Sequence, residues 1–598
     1  MARSPTPRGP RPRGSARHAR SARAAGSAAP TPGRPARARR RGARTAFRSL
    51  RCRRTGAGGA RQSPPSQNRL SPVSTWSTDE LPQRYNAAAD LLDGNLEAER
   101  GDRAAVRTTD GAELTYADVA RAANRAGSAL RGLGVEMENR VLMAMLDSPE
   151  FAATFFGTIK LGAAPIPVNT NLKPHDYAYF LNDSRAKVAV VSAPLADAIR
   201  QVRGQLRHLR HLVVVGEAGP DELSYAEITG AADDELDPAD TSRDDMCFWL
   251  YSSGTTGFPK GVVHLQHDMR YVVENYARPV LRLDESDVMF SVAKLYFAYG
   301  LGNALYMPFG VGASTVLLAG PPAPATVLDV VRRFRPTVYY AVPTSYANTL
   351  AADPEVWANA DFGSVRVCVS AGEPLAGSIL ERWRARTGTE ILDGIGSTEC
   401  GHIFISNRIG EARPDSTGTV VPGYELRIVD DAGQELPAGE VGRLLVKGDS
   451  TCSMYWNQHD RTKRTINGEW IDTGDQYLRD ADGFYRYQGR SDDMLKVSGI
   501  WVSPTEVESA INAHEAVLEC AVVAVVDEQR LVRPEAYVVL QPGRTAGPEL
   551  EVDLREHVRA ALAHFKCPRD FHFVAELPKT ATGKIQRFKL RGGQRVPA

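Results

Sequence analysis

From about Leu81 onward, short apolar runs alternate with stretches in which apolar residues recur every three or four positions. Residues 149–162 place Ala152, Phe155, Phe156 and Ile159 on one face of a predicted helix, and 163–169 follow as a short extended run. The runs 187–192, 211–216, 246–251, 337–342 and 365–370 read as buried strands with helical stretches between them, which argues an α/β architecture. Beyond about Pro414 the segments shorten and carry many turn signals, among them "DDAGQ", "PAGEVG", "INGEW" and "DADGF". These predict hairpins and a β-barrel-like unit, followed by a further α/β region.

The start of the chain breaks this pattern. Residues 1 to 70 hold 19 arginines, no Lys, Asp or Glu, and almost nothing to bury. Such an Arg/Pro/Ala-rich tail, taken as 1–75, is expected to be disordered. It reads as a nucleic-acid-binding arm, a transit-like segment, or codons upstream of a start placed too early, with Val73 as an alternative start. The whole chain has a formal net charge of +2, so those 19 arginines leave −17 on the remainder. Nucleic-acid binders usually carry a basic face, and an acidic body speaks against that kind of partner.

The length of 598 residues at 42% apolar content is more than one hydrophobic core usually serves, so at least two domains are expected. No apolar run approaches the roughly 18 residues of a membrane span. No apolar segment follows the N-terminal charges as a secretion signal requires, so a cytoplasmic protein is expected. The seven cysteines are scattered without a C-x-x-C pair, which favours buried free thiols over a zinc or redox centre.

The stretch 251–261, "YSSGTTGFPKG", follows an apolar run and has neither helical nor strand period. Gly254 and Gly257 permit backbone conformations closed to other residues, while Ser252, Ser253, Thr255 and Thr256 offer donors and Lys260 a charge. That combination suits a phosphate-holding loop. Phe258 and Pro259 stand between the second glycine and the lysine, so the loop is not a Walker A motif.

Six further motifs follow in order: "KLYFAYGLGN" (294–303), "SAGEPL" (370–375), "DGIGSTE" (393–399), "WIDTGD" (470–475), "GRSDDMLKVSG" (489–499) and "PKTATGKIQR" (578–587). Together with 251–261 they resemble the acyl-adenylate-forming superfamily of acyl-CoA synthetases, luciferases and adenylation domains, and within it the benzoate-CoA ligases. The resemblance runs from about residue 80 to 595. It implies a large N-terminal domain, 80–491, of two α/β subdomains plus a β-barrel-like subdomain, and a small mobile α/β C-terminal domain, 493–598, hinged at Asp492.

The resemblance also implies roles. Ser253, Thr255, Thr256 and Lys260 would cradle the β- and γ-phosphates of ATP, Thr398 would contact the α-phosphate, and Glu399 would help hold Mg²⁺, an ion that keeps its waters and takes few carboxylates. Asp475 and Arg490 match ribose contacts. Gly372, Glu373 and Pro374 would form one wall of the adenine site and Asp393, Gly394 and Ile395 the other. Many members carry a tyrosine where this chain has Ile395, so an aliphatic contact would replace stacking. Lys584 matches the lysine that stabilises developing charge during adenylation. Gly499 matches the glycine beside which the pantetheine arm of coenzyme A passes.

For the acid, Phe297 is followed by Ala298 rather than the aspartate of amino-acid-activating relatives. Ala298, Tyr299, Gly396 and His402 match pocket positions of benzoate-CoA ligases, a mix that suits a flat ring. Read alone, His402 is also an ordinary core histidine. Gly401 is smaller than the leucine expected there, which predicts a wider pocket.

The implied activity is an ATP- and Mg²⁺-dependent acid-thiol ligase joining a small aromatic acid to coenzyme A, as a monomer or homodimer. Benzoate is the leading substrate. Hydroxybenzoates, aminobenzoates, arylacrylates and a carrier-protein pantetheine as acceptor stay open.

Deleting residues 1–72 is expected to leave thermal midpoint and turnover unchanged, because the tail has too few apolar residues to contribute to a core. A truncated protein that aggregates or loses activity would place the segment in the working enzyme. Mass spectrometry of the native N-terminus then separates processing from a misplaced start.

Overall fold

The computed structural model describes residues 75–254, 257–358, 360–491, 495–497, 500–526, 532–579 and 585–590. The tail through residue 74 lies outside these, as do Thr255, Thr256, Asp492, Gly499 and Lys584.

Two of the sheets in the large domain are built on parallel strands. In the first, Ala164–Pro167, Arg140–Ala144, Val188–Ser192, His211–Val215 and Leu223–Ser224 lie side by side, every pair parallel. Val188–Ser192 is buried along its whole length, as expected of a strand covered on both faces. The second sheet has nine strands, with Val288–Ser291, Val338–Ala341, Val367–Ser370 and Ile391–Gly396 parallel at its centre and antiparallel strands at both edges. The five apolar runs singled out in the sequence are all strands.

The helix Pro149–Lys160 starts after Ser148 with proline in its first turn, where a missing N–H costs nothing. It buries Phe151, Ala152, Phe155, Phe156 and Ile159. Its partner is Tyr116–Gly132, whose N-cap Thr115 and Asp118 form a reciprocal capping box. The two helices meet at glycine: a Cβ on Gly157 would stand 2.3 Å from the Ala123 carbonyl oxygen, and one on Gly127 would stand 2.7 Å from that of Gly157.

Two local expectations change form. The stretch 251–261 belongs to a β-hairpin, with Met246–Gly254 antiparallel to Gly257–Leu265 and Ser252 opposite Lys260. Its register is set by the apolar residues before and after the glycines, Trp249 opposite Val263 and Leu250 opposite Val262, so the motif itself needs no strand period. The barrel-like unit takes the form of a five-stranded antiparallel sheet in which Trp470–Arg479 pairs with Gly442–Lys447, Ile466–Asn467 and Tyr485–Arg490.

The C-terminal part builds its own core around Val517–Val526, Val532–Leu540 and Phe571–Phe573, with Pro504–Asn512 and Pro548–Ala561 packed on it. Ser378 Oγ donates to the Asn512 carbonyl at 3.3 Å, tying this part to the large domain.

Gly157→Ala should lower stability by about 1–3 kcal/mol, because a methyl group has no room between the two helices and backbone must shift. The denaturant midpoint checks this. An unchanged midpoint would mean that the helix pair relaxes freely.

Candidate active site

Lys260 and Glu399 meet although 139 residues separate them. The Lys260 ammonium is 2.7 Å from Glu399 Oε1, with only 12% and 14% of the two side chains exposed. Register explains the lysine's place. Met454–Tyr455 adds a third strand to the hairpin with Tyr455 opposite Val262, two residues along from Lys260 on the same face. Lys260 Nζ therefore donates to the Tyr455 hydroxyl at 2.8 Å and sits 4.0 Å over that ring. The same hydroxyl donates to Glu399 Oε1 at 3.0 Å, and Ser252 Oγ reaches the same oxygen at 3.5 Å.

Glu399 comes in on a different element. Beyond Ile391–Gly396 the chain enters a single 3-10 turn, Thr398–Cys400, capped by Ser397, whose Oγ accepts from the Cys400 N–H at 3.2 Å. His264, buried and stacked on Phe248 at 4.8 Å, joins hairpin and turn. Its Nε2 lies 2.7 Å from the Thr398 carbonyl oxygen and its Nδ1 2.6 Å from Asp268 Oδ2. Cys452 N–H donates to the Glu399 carbonyl at 2.7 Å. Burial opposes charge on Glu399, but Lys260 together with hydrogen bonds from the backbone and Tyr455 outweighs it, so the carboxyl is held below its usual range and ionised. Burial likewise opposes the Asp268 carboxylate, which hydrogen bonds from His264 and His267 keep ionised.

The expected nucleoside contacts assemble in two groups. Asp475 and Arg490 face one another across the antiparallel sheet, and the guanidinium donates to Asp475 Oδ1 and to the Thr473 carbonyl, each at 2.9 Å. Gly372 turns with φ +94° beyond Val367–Ser370, and Glu373 follows it, accepting from Thr344 Oγ1 at 2.7 Å. Asp393 lies on the neighbouring strand opposite Ser370. Burial raises the carboxyls of both Glu373 and Asp393. Ile395 pairs with Ile405. These residues lie at or just beyond the carboxyl ends of adjacent parallel strands, where open α/β sheets bind ligands.

Tyr299 and His402 also come together, ring centroids 5.7 Å apart, with Tyr276 and Tyr306 around the imidazole. Tyr299 comes to this nest from the short helix Ala298–Leu301, and its hydroxyl donates to the Val369 carbonyl at 3.0 Å. His402 is 2% exposed and its Nε2 is 3.0 Å from Asn303 Oδ1. Burial brings its pKa down to about 3, so the ring stays neutral at any working pH. Gly396 packs on it: a Cβ there would stand 2.4 Å from the His402 carbonyl oxygen.

Gly401 departs from the expectation of a wider pocket. It closes the 3-10 turn at φ +74°, and a Cβ on it would point toward His264 Cε1 at 3.6 Å and the Ser450 carbonyl. Its small size meets a backbone requirement on the hairpin side of the turn.

Four residues at the site carry no signal that single-residue reading picks up: Tyr455, His264, Asp268 and Asn303. His264 and Asp268, four apart and just past the phosphate motif, are the pair that spacing could have flagged.

The family description "AMP-binding enzyme" matches residues 92–456, and "AMP-binding enzyme C-terminal domain" matches 506–584. The chain belongs to this AMP-binding, acyl-adenylate-forming family. Within it, the chain is 51% identical over 513 residues to the benzoate–CoA ligase of Thauera aromatica, covering 86% of this chain and 96% of that protein. The structure of the anthranilate CoA ligase AuaEII in complex with anthranoyl-AMP superposes with a TM-score of 0.83 at 44% identity, covering 86% of this chain and 98% of that one. That of a benzoate CoA ligase from Burkholderia xenovorans LB400 gives 0.79 at 44% identity, covering 85% and 100%.

His402 sets an acid sensitivity. Its folded pKa, about 3, lies below its ordinary 6.5, so the unfolded chain binds a proton that the folded one refuses. Stability is then lost as pH falls from about 6.5 toward about 3, by up to about 1.4 kcal/mol per pH unit from this one group. His402→Gln should flatten that slope in urea titrations between pH 6 and 4; an unchanged slope would show that His402 titrates normally.

Proposed function

We propose that the chain is an aryl-CoA ligase with benzoate as its preferred acid. It would convert ATP and the acid to acyl-AMP and pyrophosphate, then transfer the acyl group to coenzyme A with release of AMP. One observation carries the reading. The seven residues 396–402 carry both Glu399, paired with Lys260, and His402, whose neutral ring meets Tyr299 from the helix Ala298–Leu301. On this reading the ring of the acid would lie against Tyr299 and His402 and its carboxylate toward Glu399 and Lys260.

The residues fit the task. Lys260 and the hydroxyls of the hairpin supply positive charge and donors to a polyanion, with Ser253, Thr255 and Thr256 assigned there by the motif. Mg²⁺ suits Glu399, a lone ionised carboxylate beside the phosphate loop, and would neutralise phosphate charge. Asp475 and Arg490 would take the ribose, and Gly372 to Pro374 with Asp393 to Ile395 the base. The uncharged nest offers no partner for an α-amine, which disfavours amino acids. Lys584 is assigned to adenylation, Gly499 to the pantetheine path and Asp492 to the hinge, so that the C-terminal domain serves both half-reactions in turn. Among the described residues no helix is long and apolar enough to cross a membrane.

Pyrophosphate release across aromatic and aliphatic acids, with coenzyme A or a carrier protein as acceptor, tests the reading. Benzoate is expected to give the highest kcat/KM, hydroxy- and aminobenzoates to remain measurable, and coenzyme A to sustain turnover. A methylene-sized misfit costs only about 10- to 200-fold, so exclusivity is not expected. Acetate or a medium-chain fatty acid outranking every benzoate would overturn it. Lys584→Ala should slow adenylation by orders of magnitude yet spare transfer from supplied benzoyl-adenylate, and Gly499→Leu should do the reverse. Equal losses in both steps would refute those roles.

A further inference from the structure

Tyr455 has no part in the function proposed so far, yet its side chain contacts both charges of the centre. Its hydroxyl accepts from Lys260 Nζ at 2.8 Å and donates to Glu399 Oε1 at 3.0 Å, while its ring lies 4.0 Å beneath the ammonium. The residue is 2% exposed, and its strand is fixed to the phosphate hairpin by pairing with Val262 and Val263. Thr462 Oγ1 accepts from the Tyr455 N–H at 3.1 Å, which seats the strand against the following helix His459–Thr465.

In this arrangement Lys260 and Glu399 neutralise each other. If Lys260 serves phosphates and Glu399 serves Mg²⁺, both must exchange their mutual contact for new partners while most of their surface stays out of water. A buried charge deprived of its partner is strongly disfavoured. We propose that Tyr455 is a positioning residue that holds both groups through this exchange. The ring face retains the ammonium as it turns toward phosphate, and the hydroxyl keeps donating to Oε1 after the lysine leaves. The contacts of Ser252, Lys260 and Tyr455 converge on Oε1, so the anchored carboxylate would keep its second oxygen for the ion. Burial, with Glu399 beside it, raises the Tyr455 pKa far above its ordinary value, which keeps the hydroxyl a neutral donor throughout.

This inference rests on the phosphate and Mg²⁺ roles proposed for Lys260 and Glu399. Tyr455→Phe keeps the ring and removes the hydroxyl; Tyr455→Leu removes both. For the phenylalanine variant, ATP affinity in the presence of Mg²⁺, read by calorimetry, should fall about tenfold. The Mg²⁺ concentration giving half-maximal pyrophosphate release should rise alongside it. ATP affinity in EDTA and the KM for benzoate should change less than about twofold, since the hydroxyl acts through Glu399. Tyr455→Leu should additionally weaken ATP in EDTA, because the ammonium loses its platform. Wild-type Mg²⁺ dependence in Tyr455→Phe would overturn the inference, as would a parallel loss in all constants together with the thermal midpoint, the mark of a packing role only. Lys260→Ala and Glu399→Gln serve as controls. If they leave ATP and Mg²⁺ binding untouched, the underlying reading fails. If they weaken it while Tyr455→Phe does not, the inference alone fails.

Discussion

The buried pair between Lys260 and Glu399 is the constraint around which the large domain is organised. Two charges more than four-fifths removed from solvent must be brought together with good geometry and further hydrogen bonds, or desolvation outweighs their attraction. Removing one partner of such a pair costs about 3–5 kcal/mol, so the surroundings must hold each charge independently. The fold does so from separate directions. The hairpin carries Lys260, the strand Met454–Tyr455 brings a hydroxyl to both charges, and the capped turn Thr398–Cys400 carries Glu399. His264 then locks hairpin to turn, with Asp268 behind it. The stacked, hydrogen-bonded imidazole leaves the Thr398 carbonyl little freedom, and the adjacent carboxylate inherits that rigidity.

The same turn leads directly into the neutral cluster of His402, Tyr299, Tyr276 and Tyr306. Four residues beyond Glu399, the chain enters the strand Ile403–Ser406, having buried His402 on the way. Burial strips the imidazole of its proton, and the surrounding tyrosines are likewise held neutral by burial. A charged nest would compete with the phosphate side for the substrate carboxylate. On the roles proposed for these residues, a neutral one would leave Lys260 and its neighbours as the groups that the carboxylate meets.

Much of this was legible in the sequence, and the remainder was hidden for identifiable reasons. Runs such as 187–192 and 337–342 are apolar along most of their length because parallel strands are covered on both faces, and each contains a strand. The Lys260, Glu399, Asp475 and Arg490 positions sit in motifs that the family resemblance ties to phosphate and ribose, and the structure pairs them as two charge couples. Tyr455 and Asn303 were not legible, because a tyrosine or asparagine in an apolar stretch looks like packing until a strand register or a helix brings it to a partner about a hundred or more residues away. Gly401 misled because its size was read as pocket volume. Its positive φ answers to the turn, and the direction of a missing Cβ cannot be read from residue type.

The C-terminal part obeys the same logic at its own scale. Lys579 makes two contacts with the Glu519 carboxylate at 2.8 and 2.9 Å, and Arg587 meets Glu508 at 2.8 Å, whose Oε1 also accepts from the Val522 N–H at 2.7 Å. The Gln586 N–H donates to the Pro578 carbonyl at 2.7 Å, and Lys579 bridges to Ile585. Residues on both sides of position 584 are thus fastened to the strand Val517–Val526 or to the helix Pro504–Asn512 that packs on it. The described residues that flank this position are held to the C-terminal core by two ion pairs. On the adenylation role proposed for Lys584, such anchoring of its neighbours would let a long, flexible side chain deliver its charge from a defined place in the C-terminal domain.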